Sequence, residues 1–492
     1  YEGNGTGQRV GDFVPFTDAF NVANSAMFQH DEARALSRTA GAPSSSGGKK
    51  GTWSTWYKTA IIDTDNIFFD NGTTATNRFS LQMDASGQIV FSYAGTTILM
   101  TNADLKGGGL WRNLVLKVDT SLATASARAI MYIDGVEVTS FATDARASLT
   151  QDGELGYMDS GATQFVGSYN GVTANQWDGY LAETIFLDNQ FLSADSFGQL
   201  DTSTNKWVPK AISGLTLGDQ GFYLAYGGDF DTGNGAGDST GNANNLSVIG
   251  TWTSADQFID TPSANYATLN RIIPPTPSHS TGGNATMSQG NLKWDVDAST
   301  NANSSFQTTS LAFQIQDGKW YYELESVDSA GGNLLTGLVD MQNFQAAGSF
   351  ISDAVNGQIA YGIAGSSSTT DTIFTDTTTL SGSNSPVNGA DDIDNGDVLG
   401  VYIEKSKDTY NFWFSRNGTM LVRDTSGLPI ISYSRTAPMC VFVRSTNGTT
   451  KECALNFGQQ MVFDGGATTA SAATGGRWKH VPTNTAYKAL NV

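Results

Sequence analysis

Two glutamates separated by one residue have the spacing in this sequence that best suits catalysis. Glu323 and Glu325 lie in an aromatic and apolar run typical of a β-strand, so both carboxylates would point to one face of a sheet. Retaining glycosidases use such a pair, one carboxyl as the acid and the other as the nucleophile. Two solvated strand glutamates are the commoner alternative, and the Glu-x-Asp-x-x-Glu pattern of jelly-roll hydrolases is absent. A polysaccharide depolymerase is therefore the sharpest enzymatic alternative.

A second catalytic pattern, Gly-x-Ser-x-Gly, occurs from Gly237 to Gly241. That motif works only on a strained turn between a strand and a helix, with a histidine base nearby. Here it falls in a loop rich in Asn and Gly, and the histidines, His30, His279 and His480, have no carboxylate neighbour in a structured motif. P-loop, dinucleotide-binding, zinc-protease and Cys-x-x-Cys patterns are also absent. We therefore expect a protein that is not an enzyme.

Oxygen ligands recur in the loop that contains Asp229, Asp231, Asn234 and Asp238. A hard cation such as Ca²⁺ prefers carboxylate and amide oxygens of this kind. The loop departs from an EF-hand, because it lacks the glycine and the terminal glutamate of that motif. Asx side chains in loops more often cap their own backbone amides. The sequence thus leaves two alternatives open here, a Ca²⁺ site and a self-capped loop.

Aromatic and Asx residues alternate at two predicted turns, where Tyr169 and Asn170 are followed by Trp177 and Asp178. An aromatic ring can stack on a sugar, and a neighbouring Asx side chain can accept hydrogen bonds from its hydroxyls. These four residues are the predicted glycan-binding site. The alternative is that the aromatic rings close the edge of a sandwich and belong to its core.

The two cysteines, Cys440 and Cys453, flank the turn residues Thr446 to Gly448. Read as a hairpin, this spacing places the cysteines opposite each other on one face of a sheet. A cross-strand disulfide and two buried reduced thiols are both compatible with it.

The composition excludes several classes of partner. The chain has 27 Lys and Arg against 47 Asp and Glu, a formal net charge of -20, so it should repel nucleic acid and anionic membranes. No apolar run is long enough to span a membrane. Charged residues make up only 15% of the chain, too few for many exposed helix faces.

Short runs rich in Val, Ile, Tyr, Phe and Trp alternate with Asn-Gly and Asp-Gly turns along the whole sequence, which predicts an all-β fold of antiparallel β-sandwiches. The same order of strand, turn, strand and tight hairpin follows both Trp111 and Gly396, so two similar sandwiches are expected. Residues 228–250 are rich in Gly, Asn and Asp, and Ile273 to Pro277 is stiff. We therefore predict a jelly roll at 1–212, a connector at 213–282 that packs on the sandwiches, and a second sandwich at 283–492.

The first half resembles a laminin-G or concanavalin-A-like jelly roll. The resemblance is carried by Ala35 to Gly41, Thr52 to Lys58, Trp111 to Asp119 and Tyr132 to Gly135. Its continuation resembles the version found in structural proteins of tailed bacterial viruses, especially from aquatic sources, and it is carried by Asp178 to Asp188, Phe197 to Gly198, Trp207 to Lys210 and Asp260 to Asn270.

The second half resembles a SPRY domain, on the segments Gly318 to Glu323, Gly396 to Val401, Phe412 to Gly418 and Asn456 to Gly458. In that resemblance Glu323 belongs to an ordinary strand. Neither family supplies an invariant set of ligand-binding residues, since variable loops make the contacts in both.

Together, the resemblances imply a non-enzymatic protein of the virion surface, a tail fibre, spike or capsid-attached protein. Such a protein would bind host-surface glycans or receptors and other virion proteins, and we expect it to work as a homo-oligomer. A purely structural virion protein that mediates contacts between subunits is the alternative from a different class.

Overall fold

A computed structural model describes most of the chain, and all its regular structure is β-strand and short 3-10 helix, with no α-helix among the described residues. No helix in this part of the chain is long and apolar enough to cross a membrane. The all-β prediction is thus confirmed. The described residues are 20–44, 48–60, 65–71, 78–156, 161–170, 175–212, 214–270, 285–296, 306–313, 317–328, 334–340, 358–363, 371–375, 379–380, 392–421, 430–436, 439–445, 450–459, 469–471 and 473–491.

The chain divides into two compact units, Phe16–Asn265 and Tyr266–Val492. In chain order, the strands of the first unit are β1 (Ser25–Phe28), β2 (Ala35–Thr39), β3 (Lys50–Thr59), β4 (Asn66–Asn71), β5 (Phe79–Met83), β6 (Ile89–Tyr93), β7 (Thr96–Thr101), β8 (Arg112–Asp119), β9 (Ala129–Ile133), β10 (Val136–Glu137), β11 (Phe141–Asp144), β12 (Thr163–Val166), β13 (Gly179–Asp188), β14 (Gly198–Asp201), β15 (Lys206–Pro209), β16 (Phe222–Leu224), β17 (Ser247–Ile249) and β18 (Gln257–Phe258). Its 3-10 helices are His30–Glu32, Gly107–Gly109, Ala125–Ala127, Arg146–Ser148, Ala194–Ser196 and Ser254–Asp256.

Two eight-stranded antiparallel sheets make up the first unit. Sheet A has the order β10-β9-β8-β3-β13-β1-β18, with β16 paired to β13. Sheet B has the order β11-β7-β6-β5-β4-β12-β2-β17. A separate hairpin joins β14 to β15.

Sheets A and B pack face to face around one apolar core. Trp53 and Tyr57 lie on the same side of β3 and enter this core, as Leu114 and Leu116 of β8 do. Across the interface, the ring of Phe69 in sheet B lies 4.8 Å from the ring of Trp53. The first unit is therefore a β-sandwich of the predicted kind.

The opposite face of sheet A is also covered. Val115 and Ile185 point away from the core and pack against apolar residues from segment 192–217. Nearby, Trp56 packs against Val22 on the same face. A ligand of this unit therefore meets loops, edges or sheet B rather than this face of sheet A.

A β-bulge interrupts β13 in the middle of sheet A. Its register with β3 shifts between Ala182 and Ile185, and Glu183 takes a left-handed backbone conformation with a φ of 48°. Residues other than glycine rarely adopt this conformation. The Glu183 side chain is buried, and the Tyr223 hydroxyl donates to its Oε2 at 2.7 Å. Burial raises the pKa of this carboxyl to about 7.

The second unit is a β-sandwich as well. In chain order, its strands are β19 (Ala285–Ser288), β20 (Lys293–Val296), β21 (Phe306–Phe313), β22 (Gly318–Asp328), β23 (Leu334–Asp340), β24 (Gln358–Ile363), β25 (Thr372–Thr375), β26 (Thr379–Leu380), β27 (Val398–Ser406), β28 (Thr409–Arg416), β29 (Thr419–Leu421), β30 (Ile431–Ser434), β31 (Met439–Ser445), β32 (Lys451–Asn456), β33 (Thr469–Ser471) and β34 (Gly476–Trp478).

Sheet C of the second unit has the order β19-β20-β32-β22-β27-β28-β29, with β30 paired to β28, and sheet D has the order β21-β31-β23-β24-β25-β26. The hydroxyls of Tyr322 in sheet C and Thr336 in sheet D lie 3.0 Å apart. The rings of Tyr361 and Phe414, also from opposite sheets, lie 4.9 Å apart. These contacts place the core of the unit between sheets C and D.

The two cysteines lie in different sheets of the second unit. Cys440 in β31 pairs with Val339 of sheet D, whereas Cys453 in β32 pairs with Ser326 of sheet C. The predicted hairpin is therefore wrong, because the chain crosses from one sheet to the other between these strands. Both cysteines are buried free thiols, and burial raises the pKa of each.

Residues 214–265 of the connector predicted at 213–282 belong to the first unit itself. β16, β17 and β18 come from this stretch and extend sheets A and B. Although this stretch is polar in composition, its apolar residues Phe230 and Trp252 belong to the core, and their rings stack 4.8 Å apart. The division instead falls between Asn265 and Tyr266. The segment from Ile273 to Pro277, for which the sequence predicts stiffness, lies outside the described residues.

Candidate functional site

The candidate site is a group of four side chains next to β4 in sheet B, here named the Tyr169 cluster. Asp70 is in β4, Arg78 directly precedes β5, and Tyr169 and Asn170 follow β12. β4 lies between β5 and β12 in the sheet. Strand pairing thus brings three separate parts of the chain to one place.

Asp70 holds the cluster together. Arg78 donates to it through Nε at 2.7 Å and Nη2 at 2.8 Å, and the backbone N–H of Asn170 donates at 2.9 Å. Burial raises the pKa of Asp70, and these donors act in the opposite direction. Charge-assisted, two-pronged pairs of this kind fix the orientation of a guanidinium group.

Tyr169 lies directly against Arg78. The guanidinium carbon is 3.3 Å from the centre of the Tyr169 ring, a close cation–π contact. The next residue, Asn170, takes a left-handed conformation with a φ of 53°, which asparagine tolerates better than most residues. The ring and the Asx side chain are therefore held in a defined geometry before any ligand arrives.

The cluster offers a ligand an aromatic ring, a guanidinium group and an amide side chain. Tyr169 and Asn170 are half-buried and reach solvent. Sugars stack on aromatic faces and exchange hydrogen bonds with groups of this kind. Asp70, the carboxylate of the cluster, is fully buried and accepts hydrogen bonds at both oxygens. The arrangement thus suits binding and provides no exposed acid, base or nucleophile.

The other two residues of the predicted glycan site lie in the interior. Trp177 is 0% exposed, and its ring packs 4.4 Å from that of Phe68 in the core. Asp178 is also buried, and its Oδ2 accepts a hydrogen bond from the backbone N–H of His30. A sugar cannot stack on a buried ring, so the structure corrects the assignment of Trp177 and Asp178. The predicted site is reduced to Tyr169 and Asn170.

The predicted Ca²⁺ loop caps its own backbone. Asp229 accepts from the N–H of Asp231 at 2.9 Å, and Asp231 accepts from the N–H of Ser254. Asp238 accepts from three backbone amides and a neighbouring threonine hydroxyl. The backbone N–H of Asn234 donates to the Asp229 carbonyl at 2.9 Å, which closes the same turn. Each of these three carboxylates therefore already accepts at least one hydrogen bond within the chain.

No group of three or more His, Cys, Asp or Glu side chains that could hold a metal ion occurs among the described residues. The side-chain amide of Asn234 likewise bonds within its own turn, to the Thr232 hydroxyl at 3.1 Å. The loop therefore follows the self-capped alternative.

The residues of the alternative catalytic interpretations are not placed for catalysis. Glu323 is 0% exposed, and its carboxylate accepts from the backbone amides of Lys479 and His480 at 3.0 and 2.6 Å. Glu325 is buried too. Ser239, from the Gly-x-Ser-x-Gly motif, lies in a loop and not on a turn from a strand into an α-helix. A substrate cannot reach either glutamate in this conformation.

Two members of the Tyr169 cluster were missed by the sequence reasoning, Asp70 and Arg78. They are eight residues apart in sequence, and Asn170 is 100 residues from Asp70. The available signal was an acidic residue at the end of the apolar strand β4 and a basic residue across the next turn. That pattern does not indicate that the segment containing Tyr169 and Asn170 contacts these two residues.

No family model matches the sequence, and no curated protein matches it. Solved structures align with it at low similarity. Domains LG4-5 of the mouse laminin alpha1 chain cover 86% of this chain and 84% of their own length, at 12% identity and a TM-score of 0.28. The SPRY domain of human HERC1 covers 36% of this chain and 94% of its own length, at 10% identity and a TM-score of 0.25.

Tailspike protein 2 of the Escherichia coli O157:H7 bacteriophage CAB120 covers 35% of this chain and 23% of its own length, at 16% identity and a TM-score of 0.25. TM-scores this low carry no conclusion about function, so the function has to be argued from the site itself.

Proposed function

We propose that this chain is a non-enzymatic protein of the surface of a bacterial virus particle, and that it binds host-surface glycans through the Tyr169 cluster. The observation that carries the binding proposal is the 3.3 Å contact between Arg78 and the Tyr169 ring. The carboxylate that binds Arg78, that of Asp70, also accepts a hydrogen bond from the backbone of Asn170. The virion location rests on the sequence resemblance to structural proteins of tailed bacterial viruses.

The chemistry of the cluster favours a carbohydrate over a charged ligand. The guanidinium charge of Arg78 is already paired with Asp70, so an anionic ligand would compete with a buried partner. A neutral sugar needs only stacking and hydrogen bonds, which Tyr169, Asn170 and the remaining Arg78 donors supply. Such a site binds weakly on its own, and many copies on one particle would multiply its strength.

Burial of the candidate catalytic groups supports a binding role without catalysis. Glu323 and Glu325 are both buried in sheet C, and Glu323 is engaged by four hydrogen-bond donors. A depolymerase would need two carboxyls open to a sugar chain. Incubating the protein with host capsule and measuring reducing ends would test this directly, and we expect none to be released.

The binding proposal predicts that Tyr169→Ala weakens glycan binding. Loss of the ring should cost about 1 kcal/mol per site, or roughly fivefold in affinity, and more in a multimer. The measurement is binding of multimerised protein to a glycan array and to host envelope fragments. Tyr169→Phe keeps the ring and should retain most of the binding.

Tyr132→Ala is the matched control. Tyr132 is also half-buried beneath a cation, with Lys117 Nζ 5.4 Å from its ring, but it lies in sheet A. This variant should bind as the unchanged protein does. The proposal fails if the multimerised protein binds neither glycans nor envelope, or if both alanine variants bind equally well. Imaging of the particle with the cluster buried between subunits would also contradict it.

A further inference from the structure

A lysine, an aspartate and an asparagine meet in the interior of the first unit. Lys58 is near the end of β3, and Asp260 and Asn265 follow β18. Lys58 and Asn265 are 207 residues apart in sequence. None of the three residues belongs to the Tyr169 cluster, and they play no part in the proposed glycan binding.

The distances within this group are short. Lys58 Nζ lies 2.7 Å from Asp260 Oδ2 and 2.9 Å from Asn265 Oδ1. The other carboxylate oxygen, Asp260 Oδ1, accepts a hydrogen bond of 2.8 Å from the indole N–H of Trp111. The lysine amine is therefore held against the side-chain amide of Asn265, with a fixed carboxyl group beside it.

Water is largely excluded from the group. Lys58 is 1% exposed, Asp260 0% and Asn265 8%. The Tyr180 ring, whose centre is 5.7 Å from Lys58 Nζ, adds an apolar wall. Burial lowers the pKa of Lys58, although Asp260 opposes this effect. An amine must lose its proton before it can act as a nucleophile, so this environment favours the reactive form.

We propose that Lys58 and Asn265 become joined by an isopeptide bond, formed inside the folded unit, with Asp260 transferring the proton. Three features carry the proposal: a desolvated amine, an amide within hydrogen-bond distance of it, and a carboxyl group that touches the amine. A folded protein that holds reacting groups in this way replaces a bimolecular encounter with an intramolecular one.

The reaction balances without any other reactant. The neutral amine of Lys58 attacks Cγ of Asn265, and a new bond forms between Nζ and Cγ. Asp260 accepts a proton from Nζ and delivers it to the departing Nδ2. The bond between Cγ and Nδ2 then breaks, Nδ2 leaves with the electron pair as ammonia, and Asp260 returns to its starting state. No oxidant, metal or cofactor is needed.

Asn265 is the electrophile in this scheme because the other candidate, Asp260, has a different task. An ionised carboxylate resists attack by an amine, and both oxygens of Asp260 are already engaged by Lys58 and Trp111. The exclusion of water also protects the intermediate from hydrolysis. The product would tie the end of the first unit to the central strand β3.

Mass spectrometry of the whole purified protein under denaturing conditions tests the proposal. We expect the chain to be lighter than its sequence by the mass of one ammonia molecule. After digestion, trypsin should fail to cut behind Lys58, and the peptide containing Lys58 should be joined to the peptide containing Asn265. Fragmentation of the joined peptide would locate the bond.

Variants provide the controls. Lys58→Arg and Asn265→Ala should each restore the full mass of their sequences, and Asp260→Ala should do so by removing the proton carrier. Asn242→Ala changes an exposed asparagine of the same unit and should keep the cross-link. The proposal is overturned if the unchanged protein has its full sequence mass. It is also overturned if the lost ammonia comes from an unlinked asparagine, or if Lys58 is joined to Asp260 with loss of water.

Discussion

Replacing Glu323 with alanine is expected to lower the free energy of unfolding of the second unit by about 3–5 kcal/mol. The carboxylate accepts hydrogen bonds from the backbone amides of Lys479 and His480, from the Asn456 side chain and from the Tyr321 hydroxyl. Without it, both part-buried backbone amides would lose their acceptor. Each buried donor left unsatisfied costs about 1–3 kcal/mol.

The loss of stability should be greatest around the segment that is hydrogen-bonded to Glu323. Its acceptor oxygens hold the residues that follow β34, and the Trp478 ring packs 4.9 Å from that of Tyr321. Hydrogen exchange in increasing denaturant would measure opening in β22 and β34 separately from the first unit. Glu323→Gln keeps the size and one acceptor oxygen, so its effect should be intermediate.

Glu404→Ala is the matched control for Glu323→Ala. Glu404 lies in β27, the neighbour of β22, and pairs with Lys319 at 2.9 Å, with side chains that are 32% and 35% exposed. Exposed pairs contribute about 0–1 kcal/mol. If Glu323→Ala destabilised the unit no more than Glu404→Ala does, the role assigned to the buried carboxylate would be wrong.

The stability of the first unit is expected to fall as the pH rises from 4.5 to about 7, the range that separates the ordinary and the folded pKa of Glu183. Below this range both states are protonated and the contribution of Glu183 is fully retained. Within it the unfolded chain releases the proton while the folded unit keeps it. Since one pKa unit corresponds to about 1.4 kcal/mol, the total loss should be about 3.5 kcal/mol.

The Glu183→Gln variant isolates this effect, because a neutral amide does not titrate. The difference in unfolding free energy between the unchanged protein and this variant should change across the range, whereas Glu137→Gln, at an exposed position, should change nothing. Tyr223 and Tyr226 face Glu183, and burial raises the pKa of both, so they stay neutral. Parallel pH curves for the Glu183→Gln variant and the unchanged protein would refute the prediction.

Much of the fold could be predicted from local sequence patterns. Alternating apolar residues such as Trp53 and Tyr57, with Asn-Gly and Asp-Gly turns, indicated antiparallel sandwiches, and the core confirms this. The Cys440 to Cys453 segment was misjudged because a short turn between two strands looks the same whether the chain returns in one sheet or crosses to the other. The choice depends on distant partners, here Val339 and Ser326.

The candidate site was harder to predict than the fold. Trp177 and Tyr169 have similar neighbours in sequence, yet one ring enters the core and the other meets Arg78. That difference is decided by which strand passes beneath each residue. The polar loop at 229–238 was equally ambiguous, because ligand oxygens and capping oxygens have the same chemistry until the backbone around them is known.

The first unit begins and ends on neighbouring strands of sheet A, with Ser25 opposite Phe258 and the Val22 N–H bonded to Ser263. The hydrogen bonds of an antiparallel pair run across the strands. Tension that pulls these two ends apart would therefore break the hydrogen bonds between β1 and β18 one after another and not all at once. Under hydrodynamic drag, the mechanical resistance of the unit would depend on anchors behind this pair, such as Lys58, more than on the sheet itself.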